Sequence, residues 1–276
     1  MSDTQTLILA DKLVHASIID GIRLSTARSI RFRHNDLLQL ERLLEQHHAA
    51  YRQLIIVTES IFSMDGDQAD LKALVRLKKR YSNVLLYVDE AHAFGVRGPR
   101  GLGCAEETGC IRDIDFLVGT FGKAAASAGA YIACCRTIRE YLVNRMRTLI
   151  FTTALLRQVL PGHCLSCGNL PECRTAASIW LESAGAARSI TSQRVRMPQR
   201  KPYRPSDYRP QCRHCAVRRV AAEAWFYALP VRPPTVPEGT SRIRFSLTAD
   251  IREDEIGELI PLIPLKEEKN TNAIRF

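Results

Sequence analysis

Two acids and a histidine follow directly on an apolar run in the first half of the chain. The letters DEAH, at positions 89–92, come immediately after Leu85–Val88. This motif also binds magnesium in helicases, where a glycine-rich phosphate loop precedes it. The chain's one Gly-Lys pair, Gly122-Lys123, lies downstream and lacks both the loop's first glycine and its closing Ser or Thr. The sequence therefore argues against a nucleotide site.

Cysteine pairs with the spacing of zinc ligands occur later in the chain. Cys164 and Cys167 form one CxxC pair, and Cys212 and Cys215 form another. Four thiolates suit tetrahedral zinc. However, 44 residues separate the two pairs, which is more than a zinc ribbon usually has. We expect no metal site, and zinc stays open as an alternative.

A lysine and an acid at the ends of neighbouring strands are what a pyridoxal 5'-phosphate site needs. The lysine forms a Schiff base, and the acid keeps the ring nitrogen protonated. Lys123 follows one apolar run and Asp89 ends another, with His92 three residues further on, and His15 follows the first run. Singly, each has an ordinary explanation, such as a solvated lysine or a helix cap. Together they favour this cofactor, while strand alternation directs Glu90 to the other face.

The elements around these residues alternate between strand and helix. We predict helices at 36–48 and 71–81, and strands at 6–10, 54–58, 84–88, 116–119 and 130–134. This order indicates an α/β fold with a largely parallel sheet flanked by helices. In such sheets, ligands bind at the carboxyl ends of the strands. Three strands end in polar groups there: Glu59 with Ser63, Asp89 with His92, and Thr120 with Lys123.

Composition divides the chain into three parts. Residues 156–222 hold 12 basic and 3 acidic residues and five of the nine cysteines. The net charge of +10 is therefore concentrated in one Arg- and Pro-rich segment, which cannot build a core. We predict a large domain at 1–155, an irregular segment at 156–224, and a smaller α+β domain at 225–276. No apolar run is long enough for a bilayer and no signal peptide is evident. We thus expect a cytoplasmic protein that binds neither membrane nor nucleic acid.

Four longer stretches resemble a single family. They are DKLVHASIIDG at 11–21, TESIFSMDGD at 58–67, VDEAHAFGVRGPRGLG at 88–103 and GTFGKA at 119–124. All are similar to the α-oxoamine synthases, which are fold-type I pyridoxal-phosphate enzymes. The likeness covers about 5–155 and 225–265. It implies part of the large domain of that fold and a homodimer.

The resemblance also implies roles for individual residues. Lys123 would bind the cofactor covalently and move the α-proton of the substrate, and His15 would stack on the ring. The remaining cofactor contacts that the resemblance implies are Asp89 at the ring nitrogen, His92 and Ser63 at the phenolic oxygen, and Thr120 beside the ring.

A stretch near the C-terminus extends the resemblance to the residues that would bind the substrates. Residues 231–244 are most similar to the family branch that condenses L-alanine with a pimeloyl thioester, a step of biotin biosynthesis. Arg244 would grip the substrate carboxylate, a task suited to a guanidinium group, and Thr235 would line the substrate pocket. The second substrate would be a thioester of coenzyme A or of acyl-carrier protein.

The chain also departs from the family pattern. Family members have a longer N-terminal part, which holds the cofactor phosphate at a helix N-terminus. Ala125 and Ala126 replace a larger apolar residue and a glycine. Residues 156–222 match nothing in the family, as expected for a segment translated in another reading frame. Two alternatives therefore stay open: a remnant without catalysis, and a zinc or nucleic-acid binding protein built on the Cys164–Cys215 segment.

Overall fold

A six-stranded sheet organises the main part of the protein. The computed structural model describes residues 2–152, 228–231, 242–245 and 258. The strands of the sheet are β1 (Thr6–Asp11), β2 (Arg28–Phe32), β3 (Gln53–Glu59), β4 (Val84–Asp89), β5 (Phe116–Thr120) and β6 (Ala130–Ala133). Their order is β2-β1-β3-β4-β5-β6. Strands β1 to β5 run parallel, and β6 pairs antiparallel with β5.

Helices follow most of these strands. They are α1 (Ala16–Arg23), α2 (Leu37–His47), α3 (Leu71–Lys79), α4 (Cys104–Glu107), α5 (Arg136–Arg145) and α6 (Arg147–Ile150), with a 3-10 turn at Ile111–Asp113. Side chains at three N-caps satisfy free amides of the first turn. Asp36 accepts from the N–H of Gln39, and Asp70 accepts from the N–H of Ala73. His15 caps α1 in the same way.

Alternation along the strands gives the sheet two different faces. One face buries Leu7, Leu54 and Leu86 under α2, α3 and α4, in the larger core. The other face carries Ile8, Ile55 and the neighbouring apolar residues, which pack against α1 in a smaller core. The functional residues at the strand ends divide between these two faces.

Strand β2 and helices α1, α4, α5 and α6 were not assigned from the sequence. Strand β2 lies at the sheet edge, and four of its five residues are exposed or half-buried, so it lacks an apolar signal. Helix α1 has eight residues, and Ile18, Ile19 and Ile22 are its apolar contacts to the core. Such a short pattern does not separate helix from strand.

The chain divides into two compact units, residues 1–175 and 176–276. In the second unit, β7 (Ala228–Val231) and β8 (Arg242–Phe245) form an antiparallel pair, within the range 225–276 for which the sequence predicts a smaller α+β domain. The segment 156–224, with its cysteine pairs, lies outside the described residues, so the prediction for it stays a prediction. Across the described ranges, we find no helix long and apolar enough to cross a membrane.

Candidate active site

The carboxyl ends of β1, β3, β4 and β5 meet at one edge of the sheet. The chain leaves β1 toward β2 on one side and later returns to β3 on the other, so the order reverses between β1 and β3. Open α/β sheets bind ligands at such a reversal point. A cavity of about 620 Å³ opens here. Its charged and polar wall includes His15, Glu59, Asp89, Thr120 and Lys123.

Apart from Ser2, Ser17 and Ser25, the rest of the cavity wall is apolar. It comes from the face of the sheet that carries the smaller core, and from α1. The main contributors are Ile8, Ile18, Ile22, Ile55, Val57, Tyr87 and Val118. A flat aromatic ligand with a few polar atoms suits a cavity of this kind.

Asp89 ends β4 and projects into the cavity. It is the Cα partner of Glu59 on the neighbouring strand β3, so both acids lie on one face. Burial raises the pKa of Asp89, while the hydrogen bond from the Ala91 N–H (2.8 Å) and the charges of Lys123 and His15 oppose that rise. The carboxylate is therefore held in a partly dehydrated position beside two basic groups.

Lys123 lies in the turn after β5. Its Nζ is 2.8 Å from Nε2 of His92, which joins the DEAH motif to the lysine turn. The turn is closed by hydrogen bonds from the Ala126 N–H to the Lys123 carbonyl (2.9 Å) and from the Ser127 N–H to the Phe121 carbonyl (2.8 Å). Ala126 has φ of 45°, in the left-handed region that favours glycine. The turn is therefore closed, and a strained alanine occupies the position where the resemblance gives a glycine.

Thr120 helps to shape the same turn. Its Oγ1 accepts from the Gly122 N–H and donates to the Gly129 carbonyl, both at 3.1 Å. The turn thus has a fixed start at the end of β5, and Thr120 lines the cavity beside Lys123.

His15 lies at the junction between β1 and α1. Its Nδ1 is the acceptor for the Ser17 N–H (3.3 Å) and lies 2.8 Å from the Ser17 hydroxyl. The backbone N–H of His15 donates to Oε1 of Glu59 at 2.5 Å. Residue 15 is exposed, so one side of its ring can contact a ligand.

Two of the described residues that were expected to contact the cofactor do not line the cavity. The cavity wall, as far as the described residues form it, includes neither Ser63 nor His92. Ser63 is half-buried in the turn after Phe62. His92 reaches the site through its contact with Lys123.

Glu90 belongs to the opposite face of the sheet, as strand alternation predicted. It is fully buried and accepts three hydrogen bonds at the start of α4. The donors are the Ser60 hydroxyl (2.5 Å), the Cys104 N–H (3.1 Å) and the Ala105 N–H (2.6 Å). Glu90 therefore fixes a helix start and takes no part in the cavity.

A second ionic cluster was not predicted from the sequence. His34 lies between Asp11 and Asp67, with Nδ1 3.0 Å from Asp11 Oδ1 and Nε2 2.6 Å from Asp67 Oδ2. It ties the end of β1 to the loop that contains Ser63. The three residues are far apart in sequence, so no local pattern announces them. Glu59 was noted as a strand-end acid, but its bond to His15 joins positions 44 residues apart.

The remaining predicted residues are not tested at the site. Arg244 lies in β8, and Thr235 and the four zinc-spaced cysteines lie outside the described residues. Within the described part of the chain, no cluster of three or more His, Cys, Asp or Glu residues could hold a metal ion.

Comparisons with known proteins agree with this geometry. Residues 1–163 match the family model described as aminotransferase class I and II. The chain is 53% identical over 262 residues to a putative 8-amino-7-oxononanoate synthase of Glaesserella parasuis, covering 94% of the chain and 69% of the relative. It is 48% identical over 275 residues to the 8-amino-7-oxononanoate synthase of Haemophilus ducreyi, with 94% and 68% covered.

Solved structures show the same relationship. The serine palmitoyltransferase of Sphingomonas wittichii matches with a TM-score of 0.79 and 28% identity, covering 95% of this chain and 66% of that one. The 8-amino-7-oxononanoate synthase of Francisella tularensis matches with a TM-score of 0.75 and 27% identity, covering 95% and 75%. The chain thus spans about two thirds to three quarters of the length of these proteins.

These matches confirm the expected α/β fold with a mostly parallel sheet and the expected pyridoxal-phosphate class. They leave the roles of the individual site residues as predictions. On the family model and the sequence identity together, the chain belongs to the aminotransferase class I and II family.

Proposed function

We propose that the protein catalyses the pyridoxal-phosphate-dependent condensation of L-alanine with a pimeloyl thioester. The products are 8-amino-7-oxononanoate, carbon dioxide and the free thiol of coenzyme A or acyl-carrier protein. A single observation carries the proposal: Asp89 at the end of β4 and Lys123 in the turn after β5 line one cavity at the reversal point of the sheet. The names of the relatives at about 50% identity support the choice of substrates.

The donor set of the cavity fits pyridoxal 5'-phosphate. A primary amine, a carboxylate and an accessible imidazole face one largely apolar space. Lys123 would hold the cofactor covalently, Asp89 would pair with its ring nitrogen, and His15 would cover one ring face. Thr120, His92 and Ser63 would hold the remaining polar edge. The bound group supplies an electron sink for the negative charge that forms at the α-carbon.

The chain's own residues would handle the proton. Lys123 Nζ takes the α-proton of L-alanine, and the 2.8 Å contact with Nε2 of His92 keeps the amine directed at the cavity. Burial raises the pKa of Asp89, while the hydrogen bond from the Ala91 N–H and the nearby Lys123 and His15 oppose that rise and favour the negative charge. The new carbon–carbon bond joins the α-carbon to the thioester carbonyl as the bond to sulfur breaks and the thiol leaves. The alanine carboxylate then leaves as carbon dioxide, and a proton takes its place on the α-carbon.

The substrate residues and the assembly follow from the likeness to the relatives. Arg244 would bind a carboxylate through two parallel N–H bonds, and Thr235 would line the same pocket. We also propose a homodimer and a cytoplasmic location.

A titration with pyridoxal 5'-phosphate tests the proposal. We expect wild-type protein to develop an absorbance band near ~420 nm, because the cofactor joined to a lysine is a chromophore. Lys123→Ala should abolish the band and Asp89→Ala should weaken binding, while the control Lys72→Ala, at an exposed lysine of α3, should behave as wild type.

Turnover is measured separately. Wild-type protein with L-alanine and pimeloyl-coenzyme A should form the condensation product and free thiol, as detected by mass spectrometry. A wild-type protein that binds the cofactor without turnover would be the catalytically inactive remnant, and one that binds no cofactor would contradict the proposal as a whole.

A further inference from the structure

We propose that Glu59 is a positioning residue of this site: its carboxyl group fixes His15 at the edge of the cavity and places a negative charge opposite Lys123. No role for Glu59 follows from the site described above. The inference rests on the proposed function, because His15 and Lys123 matter only if the cofactor binds between them.

The first argument is the hydrogen bond that joins the two sides of the reversal point. Glu59 ends β3, and its Oε1 accepts from the His15 N–H at 2.5 Å. His15 stands just before α1, at the point where the chain leaves β1. The bond therefore holds the start of α1 against β3, where the order of strands reverses. Without it, the loop from Lys12 to His15 would be held to β3 through the packing of Val14 in the smaller core, and no longer by a hydrogen bond at His15.

The second argument is the direction in which the carboxyl group points. Glu59 is 4% exposed, and it lines the cavity together with its Cα partner Asp89. An apolar residue would fill this position at lower cost, since burying a charge is unfavourable unless the charge is paired. A buried acid at this position therefore indicates that other groups interact with it. Two such groups are the His15 backbone amide, which donates to it, and the Lys123 amine, whose charge favours it.

The third argument is the set of charges that face Glu59 from the surrounding elements. Burial, together with the charges of Asp89 on β4 and Asp11 on β1, raises the pKa of Glu59 to about 7, although the His15 N–H and the Lys123 charge oppose the rise. The carboxyl group thus gains or loses its proton near neutral pH. Its charge is available to Lys123 in the pH range where enzymes work.

Two substitutions separate the two parts of the role. Glu59→Gln keeps an oxygen that can accept from the His15 N–H but removes the charge. Glu59→Leu removes both. Glu45→Gln, at an exposed position of α2, serves as the matched control.

Three measurements are made on each variant. The first is amide hydrogen exchange of residues 12–16 without cofactor, read by mass spectrometry. The second is the dissociation constant of pyridoxal 5'-phosphate, from the band near ~420 nm. The third is the pH midpoint of that band, which reports the protonation of the Lys123 nitrogen once it is joined to the cofactor.

We expect Glu59→Leu to speed exchange at residues 12–16 and to raise the dissociation constant about tenfold, the size of a lost buried hydrogen bond. Glu59→Gln should retain the slow exchange and bind within about threefold of wild type, because the acceptor remains. Its pH midpoint should fall, because a negative charge beside a cation favours the protonated form. The Glu45→Gln protein should match wild type in all three measurements.

Two results would overturn the inference. Equal exchange and equal cofactor affinity in Glu59→Leu and wild type would remove the positioning role, and an unchanged pH midpoint in Glu59→Gln would remove the electrostatic role. If wild-type protein binds no cofactor, the proposed function fails first and the inference falls with it. If wild-type protein binds and every variant matches it, the inference alone fails.

Discussion

Replacement of His34 by glutamine should make the protein less stable and less sensitive to pH. His34 bridges the end of β1 and the loop that follows β3, through Asp11 on one side and Asp67 on the other. The Asp11 side chain is almost fully buried, whereas the Asp67 side chain is 40% exposed. The His34→Gln variant keeps a hydrogen-bond donor but can carry no positive charge.

The size of the change in the free energy of unfolding follows from the pKa of His34. Burial by itself lowers that pKa, but the hydrogen bonds to Asp11 and Asp67 outweigh burial and raise it from 6.5 to about 10. A raised pKa means that the folded protein holds the proton more tightly than the unfolded chain. The resulting stability is fully present below pH 6.5 and is lost as the pH rises through about 10, at up to about 1.4 kcal/mol per pH unit.

Solvent screening reduces this figure. The full shift would correspond to about 5 kcal/mol, but the exposed Asp67 partner is worth less than a buried one. We therefore expect His34→Gln to lower the free energy of unfolding by about 2 kcal/mol at pH 6. The difference from wild type should shrink as the pH approaches 9.

Urea denaturation at pH 6, 7.5 and 9, followed by circular dichroism, measures the effect. His47→Gln is the matched control, because His47 lies on α2 with its ring 6.1 Å from the ring of Tyr51, away from the cluster. Wild type and the control should lose stability between pH 6 and pH 9, and His34→Gln should show a flatter dependence. Parallel pH curves for His34→Gln and wild type would refute the reasoning, because they would mean that the imidazole is not charged between the two acids.

Three further substitutions test the structure around the site. Gly119→Ala places a methyl group about 2.5 Å from the hydroxyl of Tyr131 and equally close to its ring, so we expect a loss of about 1–3 kcal/mol in urea denaturation. Glu90→Gln exchanges one acceptor oxygen for an amide nitrogen that cannot accept, so amide exchange at residues 104–106 should quicken and stability should fall by about 1–3 kcal/mol. Ala126→Gly relieves the left-handed backbone and should raise stability by up to about 1 kcal/mol, since the relief exceeds the added chain entropy. Its cofactor affinity should stay that of wild type if the turn around Lys123 is already correctly closed.

The sequence was sufficient for the framework of the sheet. Buried strands such as β3 and β4 have continuous apolar runs that end in polar residues, and the structure contains them within a residue or two of the predicted bounds. Parallel order then brings the strand ends together, which is why Asp89 and Lys123 were predicted to share a site. Strand β2 was missed because it is an edge strand, and α1, α4 and α6 were missed because they are short. Helix α5 was missed because it has no buried residue and thus no apolar stripe.

Partners between distant positions were beyond the reach of the sequence. The charged state of His34 depends on two acids that precede and follow it by more than twenty residues. The bond from His15 to Glu59 depends on the order of strands, which periodicity does not specify. By contrast, the separation of Asp89 from Glu90 needed only the two-residue period of a strand.

That separation constrains the length of β4 as well as its composition. Asp89 faces the cavity and Glu90 braces the start of α4, although the two acids are neighbours in the chain. An insertion or deletion of one residue inside the strand would turn every side chain to the other side. A deletion would place Glu90 at the cavity and Ala91 at the start of α4, and an insertion would place Val88 at the cavity and Asp89 at the start of α4. In both cases the DEAH motif would remain in the sequence although neither acid kept its present partners. Variants of this protein should therefore tolerate conservative replacements along β4 far better than any change in its residue count.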